Sequence, residues 1–137
     1  KVETFTINFA DVTSNSATIE LLWDQTRVAF KVTVDVDTKV MKSIETTMAK
    51  DQRPYIQAAG YYYDNDKDLK QALIWVNKEI EQNPKSFSAY LLQAKINYKL
   101  KDKAAGKASA DKTIQLATDA KNDDYVKMAQ KLIADNK

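Results

Sequence analysis

The sequence predicts an α+β protein, a small three-stranded antiparallel sheet followed by a tetratricopeptide-like α-helical array. Three observations carry that reading. Apolar and polar residues alternate over the first 36 residues, the apolar period lengthens to helical spacing near Val36, and the helical part repeats on a 34-residue unit.

The alternation runs first from Val2 to Phe9, where Phe5, Ile7 and Phe9 interleave with Thr4, Thr6 and Asn8. Successive strand side chains point to opposite faces, so this pattern gives one apolar and one polar face. "ADVTSNS" interrupts it. Ala17, Ile19, Leu21 and Trp23 resume the pattern, "DQT" makes a short turn, and Val28, Phe30, Val32 and Val34 complete a meander over residues 1–36. Lys1 is neither a start methionine nor part of a signal peptide, and a strand seldom opens a chain without a neighbour to lie on. The meander is therefore expected to continue a sheet begun by a missing N-terminal part.

Residues 37–52 read as a connecting helix. Asp37 or Thr38 is expected to cap it, and Val40, Met41, Ile44 and Met48 form its apolar stripe. "DQRP" at 51–54 punctuates the chain, with Pro54 tolerated in a first turn. Residues 53–137 then read as two tetratricopeptide-like helix pairs and a sealing helix. Counting a repeat from Arg53 places Ile56, Ala59, Gly60, Tyr63, Ala72, Val76 and Pro84 in the template's slots; Gly60, Tyr63, Ala72 and Pro84 are identities. A second repeat from Phe87 puts Tyr90 in the tryptophan slot, Ala94 in the glycine slot and Gly106 in place of the small alanine, with no closing proline. The sealing helix starts near Asp123 and carries Tyr125, Ala129 and Leu132.

Composition removes many function classes. The chain has no cysteine and no histidine, which excludes thiol nucleophiles, disulfides, Ser-His and Cys-His dyads and imidazole or thiolate zinc sites. At 44% hydrophobic and 29% charged it reads as a globular domain, and no apolar run approaches the ~20 residues of a membrane span. Membrane insertion by this segment is thus not expected.

Four groups of residues invite functional readings. In "GYYYDNDKD", Asp64, Asp66 and Asp68 match the opening spacing of a calcium loop, but Leu69 and Trp75 stand where that loop needs glycine and glutamate. The repeat frame makes the segment an inter-helix turn with a cap, Gly60 permitting a close helix approach and Tyr63 packing beneath the turn. Tyr61, Tyr62, Tyr63 and Trp75 form either a ligand-binding wall or inter-helix packing. Lysines 95, 99, 101, 103, 107 and 112 face only Asp102 and Asp111 nearby, which suits an acidic partner or a solvated face. Nucleic acid is not expected, because Arg27 and Arg53 are the only arginines and neither lies near these lysines. Glu20, Asp24, Asp35 and Glu45 offer carboxylates for acid and base work, or plain surface and turn charges.

Two stretches, "VETFTINFADVTSNSATIELLWDQTRVAFKVTVDVDTKVMKSIE" and "AAGYYYDNDKDLKQALIWVNKEIEQNP", resemble the C-terminal half of the Bacteroidetes family known as domain of unknown function 2911. The resemblance covers essentially the whole chain. It implies a sheet continued by upstream β-rich sequence that holds the family's most distinctive motifs, a periplasmic or cell-envelope location, and no assigned chemistry.

The leading functional reading is a non-enzymatic interaction or scaffold module without cofactor or metal. Its partner is a protein, a peptide or the missing N-terminal domain. Tetratricopeptide arrays line their concave face from the first helix of each pair, and those slots here hold Gln57, Tyr61, Asp64, Leu91, Lys95, Tyr98 and Lys99. They do not reproduce the lysine and asparagine clamp that grips C-terminal carboxylates. Tyr61 and Tyr98 are the expected anchors if that face is open, and core residues if it is covered. The alternative is an enzyme or small-ligand-binding protein whose site lies upstream, with this segment as scaffold.

Overall fold

A computed structural model of the chain describes residues 2–49 and 54–136. Three strands, β1 (Val2–Ala10), β2 (Ser16–Asp24) and β3 (Thr26–Thr33), pair antiparallel in the order β1-β2-β3. The tight turn between β2 and β3 places Asp24 in the left-handed region (φ 54), which aspartate tolerates better than most side chains. Register follows the alternation. Ile7, Leu21 and Val28 form one cross-strand row, Phe9, Ile19 and Phe30 the next, and Ala17 pairs with Val32. Residues directly opposite share a face, so these rows make one continuous apolar surface. The other face is polar: Arg27 binds the Glu20 carboxylate, and the Asn8 amide donates to its second oxygen at 3.3 Å.

The helix α1 (Val36–Ala49) begins one residue earlier than the sequence suggests. Its cap is Asp35, whose carboxylate accepts from the Thr38 backbone N–H at 3.1 Å, and neither Asp37 nor Thr38 takes that role. The expected end of the connecting helix at 50–52 and the repeat's first residue, Arg53, lie outside the described residues. The chain divides into two units between residues 50 and 51, and α1 belongs with the sheet.

The second unit is five helices: α2 (Tyr55–Asp64), α3 (Leu69–Gln82), α4 (Phe87–Lys99), α5 (Lys103–Asp119) and α6 (Asp123–Asp135). α2 packs on α3, α4 on α5, α3 on α4 and α5 on α6, so each hairpin rests on the next. Caps set the boundaries. Asp68, Ser86, Asp102 and Asn122 each precede a helix and accept from a backbone N–H of its first turn. The turns after α2, α4 and α5 share one geometry. A left-handed residue, Asp66 (φ 52), Lys101 (φ 69) or Lys121 (φ 55), is followed by an N–H that reaches back to a carbonyl five residues earlier. This is the Schellman arrangement, which satisfies carbonyls the helix end leaves open. "DNDKD" therefore turns a corner, with Asp68 as the cap.

Small residues let these helices approach. Ala59, Ala72, Val76, Ala89 and Ile96 form one buried cluster; Leu91, Ala94, Ala110 and Ala129 form a second, against Ile114, Tyr125, Leu132 and Ile133. The close approach expected at Gly60 is not there, because a Cβ at that position meets nothing within 4 Å. It occurs at Gly106, where a Cβ would lie 2.9 Å from the Tyr98 ring. Both glycines fall in small-residue slots of the repeat, but only Gly106 faces a bulky partner.

Candidate functional site

The first-helix slots divide between surface and core. On α2, Gln57 and Asp64 are exposed and Tyr61 is half-buried. Their four- and three-residue spacing puts them on one stripe of a helix whose Tyr55, Ala58 and Ala59 turn inward. Of the α4 slot residues, only Lys95, half-buried, and Lys99, exposed, reach the surface. Leu91 is 4% exposed and Tyr98 8% exposed. Leu91 sits in the cluster that α5 and α6 close, and the Tyr98 ring lies on Gly106 of α5. Tyr98 is therefore core, not an accessible anchor. The slot pattern is inherited from the helix, but in this second hairpin the following helices cover it.

Lys99 is also committed within the fold. Its ammonium pairs with Asp66 at 2.6 Å, donates to the Tyr63 carbonyl at 3.0 Å and stands 4.6 Å from the centre of the Tyr63 ring. The hydrogen bond to Asp66 holds it above its usual value of 10.5, against a desolvation penalty, with Asp64 adding attraction. Lys99 thus ties the end of α4 to the α2–α3 turn. Asp66 and Asp68 are the acids that hold this turn, one as ion partner and one as cap. Among the described residues, no three of Asp, Glu, His and Cys converge to hold a metal ion.

The remaining groups resolve similarly. Tyr62 meets Trp75 edge to face at 4.8 Å, and both pack against the first cluster together with Tyr63. In the lysine-rich stretch Lys107 pairs with Asp111 at 2.7 Å and Lys112 donates to Gln115. Of the candidate carboxylates, Glu20 lies below its usual 4.5, chiefly through its hydrogen bond with Arg27. Asp35 lies below its usual 3.8 through its hydrogen bonds from Thr38. Both are held ionised, the opposite of what a general acid needs.

One polar thread escaped the sequence reading. The Gln93 amide donates to Asn77 Oδ1 at 2.7 Å and accepts from the Ser109 hydroxyl at 2.8 Å, linking α3, α4 and α5. Its only trace in the sequence is a polar residue recurring at a spacing of 16, a signal too short to separate from the polar background.

No described helix is long and apolar enough to cross a membrane. No protein-family model, curated protein or solved structure matches the chain.

Proposed function

We propose that the chain is a non-enzymatic protein-interaction or scaffold module of an exported bacterial protein, and that it grips a partner segment on the first-helix face of its array. The observation that carries this reading is the α2 stripe of Gln57, Tyr61 and Asp64, which lies outside both buried clusters. Tyr61 is an aromatic anchor of the kind on which interface energy concentrates, and the amide and carboxylate beside it add directional polar contacts. Lys95 on α4 supplies a cationic rim that speeds association more than it tightens it. Leu91, Tyr98 and Lys99 have structural work and leave the binding set. The resemblance of the quoted stretches to the domain of unknown function 2911 family supports an envelope location.

The test is site-specific photo-crosslinking in envelope extract, with the reactive side chain placed at position 61 and, as control, at the exposed Lys127 of α6. A discrete protein adduct from position 61 only, competed by excess unlabelled chain, is the expected result. Adducts of equal yield from both positions would refute the assignment of the face.

A further inference from the structure

The apolar sheet face carries features that a flat core surface does not need. At the β2–β3 turn Trp23 projects with 62% of its surface open, and Phe5, Ile7, Phe9, Val28 and Phe30 are each about half open or more. At the opposite end of the same face lies a notch of about 280 Å³ lined by Val12, Ala17, Val32, Val34 and Val36 together with the polar residues 13–16 that follow β1. A cavity of about 150 Å³ already admits a benzene ring, so the notch has room for an indole. Knob and notch stand six residues apart along β2, about 20 Å at ~3.3 Å per residue.

We propose that this face docks a second copy of the chain, the two sheets stacked about a two-fold axis with strands reversed, so that each Trp23 enters the other's valine notch. Reversal follows from the geometry: only with the strands antiparallel does the knob of each copy meet the notch of its partner twice over, the self-complementarity a two-fold interface requires. Charge permits it over the paired rows, none of whose positions on this face is ionisable. Area permits it as well. The four open aromatics, at ~150–250 Å² each, expose roughly 350–550 Å², and with Ile7 and the open valines the face is on the order of 700 Å² per copy. Two copies bury about 1,400 Å², inside the ~1,200–2,000 Å² of stable interfaces. Sheets pack face to face at about 10 Å, which lets the two sets of rows interdigitate.

The test uses the intact chain with Trp75→Phe, so that Trp23 is the only indole. Light scattering should give twice the 15.5 kDa of the chain, and Trp23 emission should shift to the blue, with loss of quencher access, as concentration rises through the dimer transition. Phe30→Lys and, at the turn end, Trp23→Ser should each raise the dimer dissociation constant about tenfold or more. Trp23→Ser, at an exposed position, keeps the test valid should Phe30→Lys unfold the sheet. A monomer with quenchable Trp23 would leave the face to a different partner and overturn the proposal. A monomer with protected Trp23 would show the face covered within the chain, also overturning it. So would a dimer indifferent to both variants, or an open-ended series of oligomers.

Discussion

Replacing Gly106 by alanine puts two opposed effects at one atom. The added Cβ would lie 2.9 Å from Cγ and Cδ1 of Tyr98 and 3.0 Å from Cδ2. Unstrained carbon contacts sit at about 3.5–4.0 Å, so ring or helix must give by roughly half an ångström or more. The ring cannot swing freely, because Tyr98 is buried between α4 and α5. Overpacking of this kind costs about 1–3 kcal/mol. Alanine returns up to about 1 kcal/mol through its helix propensity, leaving a net loss of ~1–2 kcal/mol. For a unit of this size that lowers the melting temperature by about 4–8 °C per kcal/mol. Urea unfolding followed by far-UV circular dichroism measures it. In a Tyr98→Leu background the same substitution should cost less, because the ring is gone. Gly60→Ala is the matched control: with nothing in its way it should stabilise the helix by about 0.5–1 kcal/mol. If Gly106→Ala were as stable as the parent, or Gly60→Ala the more damaging of the two, the assignment of the close approach would be refuted.

Lys121 holds a left-handed φ of 55 at an exposed turn. Lys121→Gly should raise stability by ~1 kcal/mol, read as a higher urea midpoint at unchanged slope. Gln93→Met should lower stability by about 1 kcal/mol, since both the Asn77 and Ser109 hydrogen bonds are lost; a neutral result would show the thread contributes nothing. Glu20 has a folded-state value below its usual 4.5, so its contribution is present above that pH and is lost as the pH falls through the folded value. The stability difference between the parent and Glu20→Gln should therefore shrink on acidification from pH 6 to 3. A constant difference would show that the Arg27 pair does not distinguish the two states.

The elements were legible because their signals are local. Two-residue alternation marks β1 to β3, three- and four-residue spacing marks the helices, and Asp68 and Asn122 announce helix starts through side chains one turn away. The alternation even assigns Glu20 to the polar face, since register preserves it across strands. Tertiary structure alone decided which faces are covered. Spacing placed Leu91, Tyr98 and Lys99 on the same first-helix face as Gln57, Tyr61 and Asp64, but α5 and α6 bury the first two and Asp66 claims the third. It likewise put both Gly60 and Gly106 in small-residue slots of the repeat, whereas only Gly106 faces a tyrosine ring. Helical period fixes which residues share a stripe; what lies across from that stripe depends on residues tens of positions away, and no local pattern carries that information.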